Sequence, residues 1–405
     1  MNLKNIIDNK DKYAQYMVDE ITHICTKLPK RGPGSEGEKL SCEYMGEEMK
    51  KFGCDTVYVE GFKENPDSFY GWIYFTITCC FLALASFFFM PVLSIVFIAI
   101  GLLLCGLQFG LYKKTVDKIF KEETGHNVSG FKKPTGEVKR RIIFNGHPDG
   151  AWEWPFKYKF TYLGFDIHMM ICFVGAFYTL GIAIAKLAGV LEGALATKLG
   201  LIGLVFAPFW FGLYFLWNKK RIVDGANDNL AGCYIGMAIL QALHDEGIEF
   251  ENTEIGVVCT GSEEAGLRGA KAWAAAHADE MKDVPTFVFS YDTIAQNEQL
   301  IGNYRDLNAT VKTDKDVGDL FFEACEELGI PCKKGVVPPL GGATDSAAFA
   351  QAGMRSTGST ALNHALPDFY HTRFDTPEAL NPSCLADCFA ASVLALEKFD
   401  KGAKQ

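Results

Sequence analysis

Four absences narrow the reading of this chain before any motif is considered. Basic residues are in deficit: 39 Lys and Arg face 49 Asp and Glu, a formal charge of −10. With no basic stretch interleaved with aromatics, this argues against a nucleic-acid partner. The 13 cysteines form no Cys-x-x-Cys pair and lie mostly in apolar runs, the usage of reduced thiols rather than of a disulfide framework. Cys384 and Cys388 stand one helical turn apart, and without a second pair they read as helix packing rather than a metal site. The opening stretch Met1 to Asp8 is too polar for a signal peptide, so no cleaved export leader is expected.

The fourth absence is charge itself. Between Phe69 and Tyr112 no Asp, Glu, Lys or Arg occurs in 44 positions, about twice the roughly 20 residues a helix needs to cross bilayer hydrocarbon. Pro91 near the middle predicts a helical hairpin, going out over about Phe69–Met90 and back over about Val92–Tyr112. Trp72, Tyr74 and Tyr112 fall where interfacial aromatics belong, and Lys113 and Lys114 close the run. A second pair of uncharged runs, Met169–Ala185 and Leu199–Trp217, flanks a linker holding Lys186, Glu192 and Lys198. Extending its first run back to Leu163 takes in Asp166 and His168, which are expected near the membrane surface. The alternative for the first block is a very apolar buried helix pair or a dimer interface.

What remains is polar sequence in three pieces, residues 1–68, 113–160 and 218–405. Its most informative stretch is Gly261-Ser262-Glu263-Glu264-Ala265-Gly266, which follows the apolar run Ile255–Thr260. Two adjacent carboxylates thus sit at a strand's C-terminal end, where open α/β sheets place ligand chemistry. Two free carboxylates side by side repel, and a metal cation with a reaction needing a general base would justify them. A solvated pair at a helix N-terminus is the plain alternative.

Similar junctions recur along the chain. A strand over Val138–Asn145 delivers Gly146-His147-Pro148-Asp149-Gly150, an imidazole with a carboxylate two positions on that would orient it. Asp224-Gly225-Ala226-Asn227-Asp228-Asn229 leads into a helix over about Leu230–Glu246, where Asp228 alone reads as an N-cap. The strand Thr286–Asp292 ends on a carboxylate. A glycine turn carries Asp345, and Phe369-Tyr370-His371-Thr372 supplies a second isolated imidazole. Further helices are predicted over about Tyr13–Lys27, Glu36–Phe52 and Ser383–Lys398, with Ser35 capping the second and Glu38 as its capping-box partner. Asp55–Glu60 alternates as a strand should, and Lys113 to Glu137 reads only as a Gly- and Pro-punctuated connection. Taken together, His147, Asp228, Glu264, Asp292 and His371 offer two imidazoles and three carboxylates, a mixture suited to zinc or a similar divalent ion.

These stretches resemble the co-catalytic zinc exopeptidases that include bacterial leucyl aminopeptidases, glutamate carboxypeptidase II and the glutaminyl cyclases. The resemblance rests on His147-Pro148-Asp149, Gly225 to Asn229, Glu263 to Gly266, Asp292 to Ala295, Asp345-Ser346 and Tyr370 to Thr372, in that order. It implies two zinc ions bridged by Asp228, with His147 and Asp292 completing one site and Glu264 and His371 the other. It also implies Glu263 as the general base and Asp149 as the support of His147. The fold it implies is a three-layer α/β/α domain with a mixed, mainly parallel sheet.

The hairpins depart from that family. Removing about Phe160–Trp217 leaves His147 and Asp228 roughly 24 positions apart, a loop's distance, so residues 69–112 and 161–217 read as insertions into one discontinuous peptidase domain. The expected activity is release of N-terminal residues from peptides by metal-assisted hydrolysis. A carboxypeptidase, a glutaminyl cyclase and a non-catalytic receptor or scaffold are the rivals, and homo-oligomerisation stays open. Basic residues beside the spans, Lys113, Lys114, Lys118, Lys157, Lys159, Lys219, Lys220 and Arg221, predict a multi-pass protein with its catalytic domain on the cytoplasmic side.

Overall fold

The runs Ile142-Ile143-Phe144, Ile255 to Cys259 and Phe287 to Tyr291 are apolar on both faces, a pattern that only a strand covered on both sides tolerates. The computed structural model, which describes residues 3–363 and 365–404, places all three at the centre of an eight-stranded sheet. In chain order its strands are β1 (Thr56–Glu64), β2 (Glu123–Lys132), β3 (Arg140–Gly146), β4 (Thr253–Thr260), β5 (Thr286–Ile294), β6 (Leu300–Asn303), β7 (Lys333–Gly335) and β8 (Arg355–Ala361). Across the sheet they run β1-β2-β4-β3-β5-β8-β6-β7. β3 is parallel to both its neighbours, as are the pairs β5 with β8 and β6 with β7. The pairs β1 with β2, β2 with β4 and β6 with β8 are antiparallel. This is the mixed, mainly parallel α/β fold expected from the sequence.

Period-2 alternation divides the central strands between two cores. Ile142, Phe144, Val257, Phe287 and Phe289 face helices Lys10–Lys27, Ala231–Asp245 and Pro382–Asp400. Ile143, Val258 and Val288 face the other way, onto helix Arg268–His277 through Ala270 and Trp273. The connections leaving β3 and β4 therefore cover opposite faces, and the crevice between them opens at the C-terminal ends of β3, β4 and β5. That is the switch point where such sheets bind ligands. Gly146, the last residue of β3, lets the following helix come close: a Cβ there would stand 2.4 Å from the Cys233 amide nitrogen.

Three features differ from the sequence reading. The connection between Lys113 and Glu137 holds β2, whose Gly- and polar-rich sequence lacks alternation. It is a strand because β1 pairs with it over Thr56↔Phe131 to Glu64↔Glu123 while β4 pairs on its other edge. The edge strand β7, its neighbour β6 and the strand β8 were likewise not legible in the sequence. Ser35 does cap helix Glu36–Lys51, its Oγ accepting from the Glu38 amide at 3.3 Å. The Glu38 side chain does not close a capping box; its Oε1 and Oε2 accept from the His126 amide (2.8 Å) and the Ser262 hydroxyl (2.7 Å).

Among the described residues, four helical segments are long and apolar enough to cross a membrane: Ser68–Ser86, Pro91–Gly110, Pro155–Leu187 and Gly193–Phe215. The first two form one hairpin, turning over Phe87 to Met90. The third begins earlier than the uncharged run, at Pro155, and is interrupted at Thr161, whose φ is +58°. His168 is buried against Phe156 and Phe209. The two ends of the second hairpin are joined by a short antiparallel ladder, Trp152↔Ile222 and Glu153↔Asn218. Apolar packing is continuous from Ile143, Val258 and Val288 under the sheet to Phe69, Tyr70, Ile77 and Trp210 in the hairpins.

Candidate metal centre

All five donors read from the sequence meet at the crevice. His147 follows β3, Glu263 and Glu264 follow β4, and Asp292 lies near the end of β5. Asp228 and His371 arrive on loops. The donor atoms form two clusters, His147–Asp228–Asp292 and Asp228–Glu264–His371, each with its atoms within 4.8 Å of one another, so Asp228 belongs to both. Its Oδ1 is 3.4 Å from His147 Nε2 and its Oδ2 is 3.1 Å from His371 Nε2, while Glu264 Oε1 is 3.2 Å from His371 Nε2. Glu263 stands beside them without joining either cluster, its Oε2 3.8 Å from His147 Nε2.

The surroundings explain why these side chains point inward. Asp228 is not a helix cap: that task falls to Asn229, whose Oδ1 accepts from the Gly232 amide at 3.0 Å and from Thr293 at 3.2 Å, leaving the Asp228 carboxylate free. Asp375 fixes the same loop, accepting from the Asn227 amide (2.8 Å), the Asn227 Nδ2 (3.1 Å) and the Asp228 amide (3.1 Å). Arg31, fully buried, ties the His147 loop to the Asp228 loop by donating to the carbonyls of Pro148 (2.7 Å), Asp224 and Gly225 (3.2 Å). Asp149 lies 3.3 Å from His147 Nδ1 and also accepts from the amides of Glu263 and Glu264, both at 3.0 Å. One carboxylate thus orients the imidazole and sets the turn that presents the two glutamates.

Arg31 and Asp375 were not singled out by sequence reasoning. Their partners are mostly backbone atoms distant in sequence, which leave no local pattern.

Electrostatics favour a cation at this place. The five donor residues and Glu263 are buried or nearly so, with Glu263 the most exposed of the buried ones at 9%. Burial pushes Asp292 up to about 7 and raises Glu263 and Glu264, in each case against the pull of a neighbouring imidazole. Burial also acts to lower His147 and His371, yet the carboxylates overcome it: His147 is raised well above its ordinary value and His371 to about 9. Protons are held where positive charge is demanded. Among the described residues, His147 Nε2, Asp228 Oδ2 and Glu264 Oε1 find no partner in hydrogen-bond geometry although buried. Such orphaned atoms are costly unless something else satisfies them, and a donor set of imidazole and carboxylate fits a zinc-like dication.

The aromatic wall beside the donors was also missed in the sequence. The Trp154 ring meets the His371 imidazole edge to face with centroids 4.3 Å apart, and that imidazole stacks on Tyr370 at 4.2 Å between centroids. Trp154 Nε1 donates to the Tyr70 hydroxyl at 3.3 Å.

Comparison with known proteins agrees with this geometry. Residues 215–395 match the model of peptidase family M28. No curated protein sequence gives a match. Among solved structures, the fold is similar to that of a zinc aminopeptidase from Bacillus subtilis, with 13% identity, a TM-score of 0.57, and 95% of this chain and 94% of that one covered. An aminopeptidase from Aneurinibacillus sp. strain AM-1 gives 14% identity, a TM-score of 0.56, and coverage of 95% and 93%. A glutaminyl cyclase from Bacteroides thetaiotaomicron gives 12%, 0.53, and 96% of each chain. Residues 215–395 thus carry the sequence pattern of peptidase family M28, and the fold is shared with these solved structures along nearly the whole length.

Proposed function

We propose that the protein is a membrane-anchored zinc exopeptidase that releases N-terminal residues from peptides. The observation that carries the reading is the pair of three-residue donor clusters sharing Asp228. His147, Asp228 and Asp292 would hold one ion, and Asp228, Glu264 and His371 the second. When bound, the ions supply Lewis-acid polarisation of the scissile carbonyl and lower the pKa of a water. Glu263, free of both clusters, takes the water's proton and passes it to the leaving amine. Asp149 holds His147 and the Glu263-Glu264 turn in register throughout.

The preference for an amino terminus rests on charge. Glu263, Asp345 and the donor carboxylates make the crevice acidic, which suits a substrate ammonium. The arginines that would receive a substrate carboxylate are engaged elsewhere. Arg268 is held by Asp117, Arg355 by Asp314 and Asp316, and Arg373 by Glu153, while Arg305 donates to the Ala309 carbonyl. The full second cluster favours peptide hydrolysis over glutaminyl cyclisation, which typically uses one zinc.

The four apolar segments support anchoring in a bilayer. Side chains within the spans such as Leu103 and Phe177, more than half exposed, find a partner in lipid, and the basic residues flanking the spans support a catalytic domain on the cytoplasmic side. The purified protein should carry close to two zinc ions per chain and cleave amino-acid amides, and chelation should remove metal and activity together. An active protein with one ion or none would overturn the two-zinc reading; a two-zinc protein that cleaves only from the carboxyl end would overturn the aminopeptidase assignment.

A further inference from the structure

We infer that the substrate is an amphiphile taken from the bilayer surface: a peptide or related amide whose cleavable end enters between the hairpin roots while an apolar tail stays among the lipids. This deepens the peptidase and membrane readings above and rests on both.

The first observation is where the hairpins enter the domain. Tyr70, in the first turn of Ser68–Ser86, stacks at 5.0 Å on Trp217, which ends the second hairpin. Trp152, just before that hairpin, packs edge-on against both, at 6.0 and 5.1 Å. Tyr112, which ends the first hairpin, meets Phe69 at 4.8 Å. All four roots therefore converge in one aromatic knot. The metal donors adjoin it, since Trp154 bridges from the Tyr70 hydroxyl to the His371 ring. Phe69 also lies over the glutamate turn, where a Cβ on Gly266 would come within 2.8 Å of its ring. The aromatic wall of the site is thus built largely from hairpin roots.

The second observation is depth. Ser68–Ser86 has 19 residues and rises about 28 Å, close to the roughly 30 Å of bilayer hydrocarbon. With that helix spanning the hydrocarbon, its first turn stands at the headgroup level, and His371 shares that level through Trp154. The third is a path. Beyond the break at Thr161, Leu163, Ile167, Met170, Val174 and Phe177 are exposed at steps of three and four residues along the remainder of Pro155–Leu187, an apolar stripe. On the same helix Phe165 stacks at 4.9 Å on Trp154. One helix thus has one face on the wall of the site and another toward lipid. A water-borne peptide requires no such placement, whereas a substrate with a lipid-held tail does.

The test uses the full zinc-loaded chain in lipid vesicles with two probes, Leu-Ala-Gly-amide and the same tripeptide as its C-terminal hexadecylamide. The tail raises the effective concentration at the site, so kcat/KM for the tailed probe should exceed that of the untailed one by about 10²-fold or more. Its rate should follow its mole fraction in the lipid and fall when empty lipid is added to fused vesicles at constant total probe. A water-soluble zinc aminopeptidase in the same vesicles should show the reverse preference. Equal kcat/KM for the two probes, or a tailed-probe rate that follows only the free aqueous concentration, overturns the inference and leaves the peptidase reading intact. Cleavage of neither probe by a protein with both ions bound sinks the peptidase reading, and this inference with it.

Discussion

Asp375 offers the sharpest test of how the proposed centre is held, because it touches Asp228, the carboxylate common to both donor clusters, without belonging to either. It is fully buried and accepts two backbone N–H groups, from Asn227 and Asp228, as well as the Asn227 side-chain amide. Asp375→Asn keeps the shape but turns one acceptor into a donor. One of the two backbone N–H groups then faces an NH₂ and loses its partner, at a cost of about 1–3 kcal/mol. The loop carrying Asp228 is loosened, and loss of an outer partner of this kind typically lowers metal affinity about 10–100-fold. Because Asp228 joins both clusters, both ions should weaken together. Thr293→Val is the control: Thr293 Oγ1 donates to Asp292 Oδ1 at 2.8 Å, so that variant should weaken only the ion held by His147, Asp228 and Asp292. Competition against a chromogenic chelator, followed through two dissociation constants, reads both variants. An Asp375→Asn protein that loses stability but keeps both zinc affinities would refute the claim that Asp375 positions Asp228.

Glu263→Gln should keep both metals and lose about 10²–10⁴-fold in kcat, as for a general base, while Glu264→Gln should lose metal; the reverse pattern would exchange their roles. Asp228→Asn should deplete both sites in a metal analysis, and depletion of one alone would show that the carboxylate is not shared. Burial pushes Glu64 up to about 8, so the folded state holds a proton there that the unfolded chain gives up near pH 4.5. Its contribution to stability is complete below about pH 4.5 and falls by up to ~1.4 kcal/mol per pH unit as pH rises toward 8. Glu64→Gln should therefore unfold at a higher temperature than the parent at pH 8 but not at pH 4.5, and a gain of equal size at both pH values would show that ionisation is not the cause. In intact cells, cysteines placed at Phe89 and Val190 should react with an impermeant thiol reagent and one at Lys312 only after permeabilisation; reaction at Lys312 first would invert the topology.

Much of the site was legible because its residues follow strands. An apolar run ending in a carboxylate or imidazole is a local pattern, and β3, β4 and β5 each provide one, so His147, Glu263, Glu264 and Asp292 stood out as candidates. The apolar hairpins were equally plain, since uncharged runs of that length are a property of composition. The ends of the third long helix were not, because Pro155 to Phe160 are helical through packing against the domain while their sequence still carries Lys157 and Lys159. The strand β2 was hidden for a related reason: its partners, not its pattern, make it a strand.

The sequence by itself determined the strand-to-acid junctions at β3, β4 and β5, the long uncharged runs of the two hairpins and the inventory of candidate donors, since each is written in contiguous residues. Only the tertiary structure decided that Asp228 stands between His147 and His371, that Arg31 and Asp375 lock the loops carrying these ligands, and that Tyr70, Tyr112 and Trp154 bring the hairpin roots to the site. Those contacts join backbone and side chains up to some two hundred positions apart. Their energy comes from burial and from hydrogen bonds that exist only once the sheet has brought the loops to one edge.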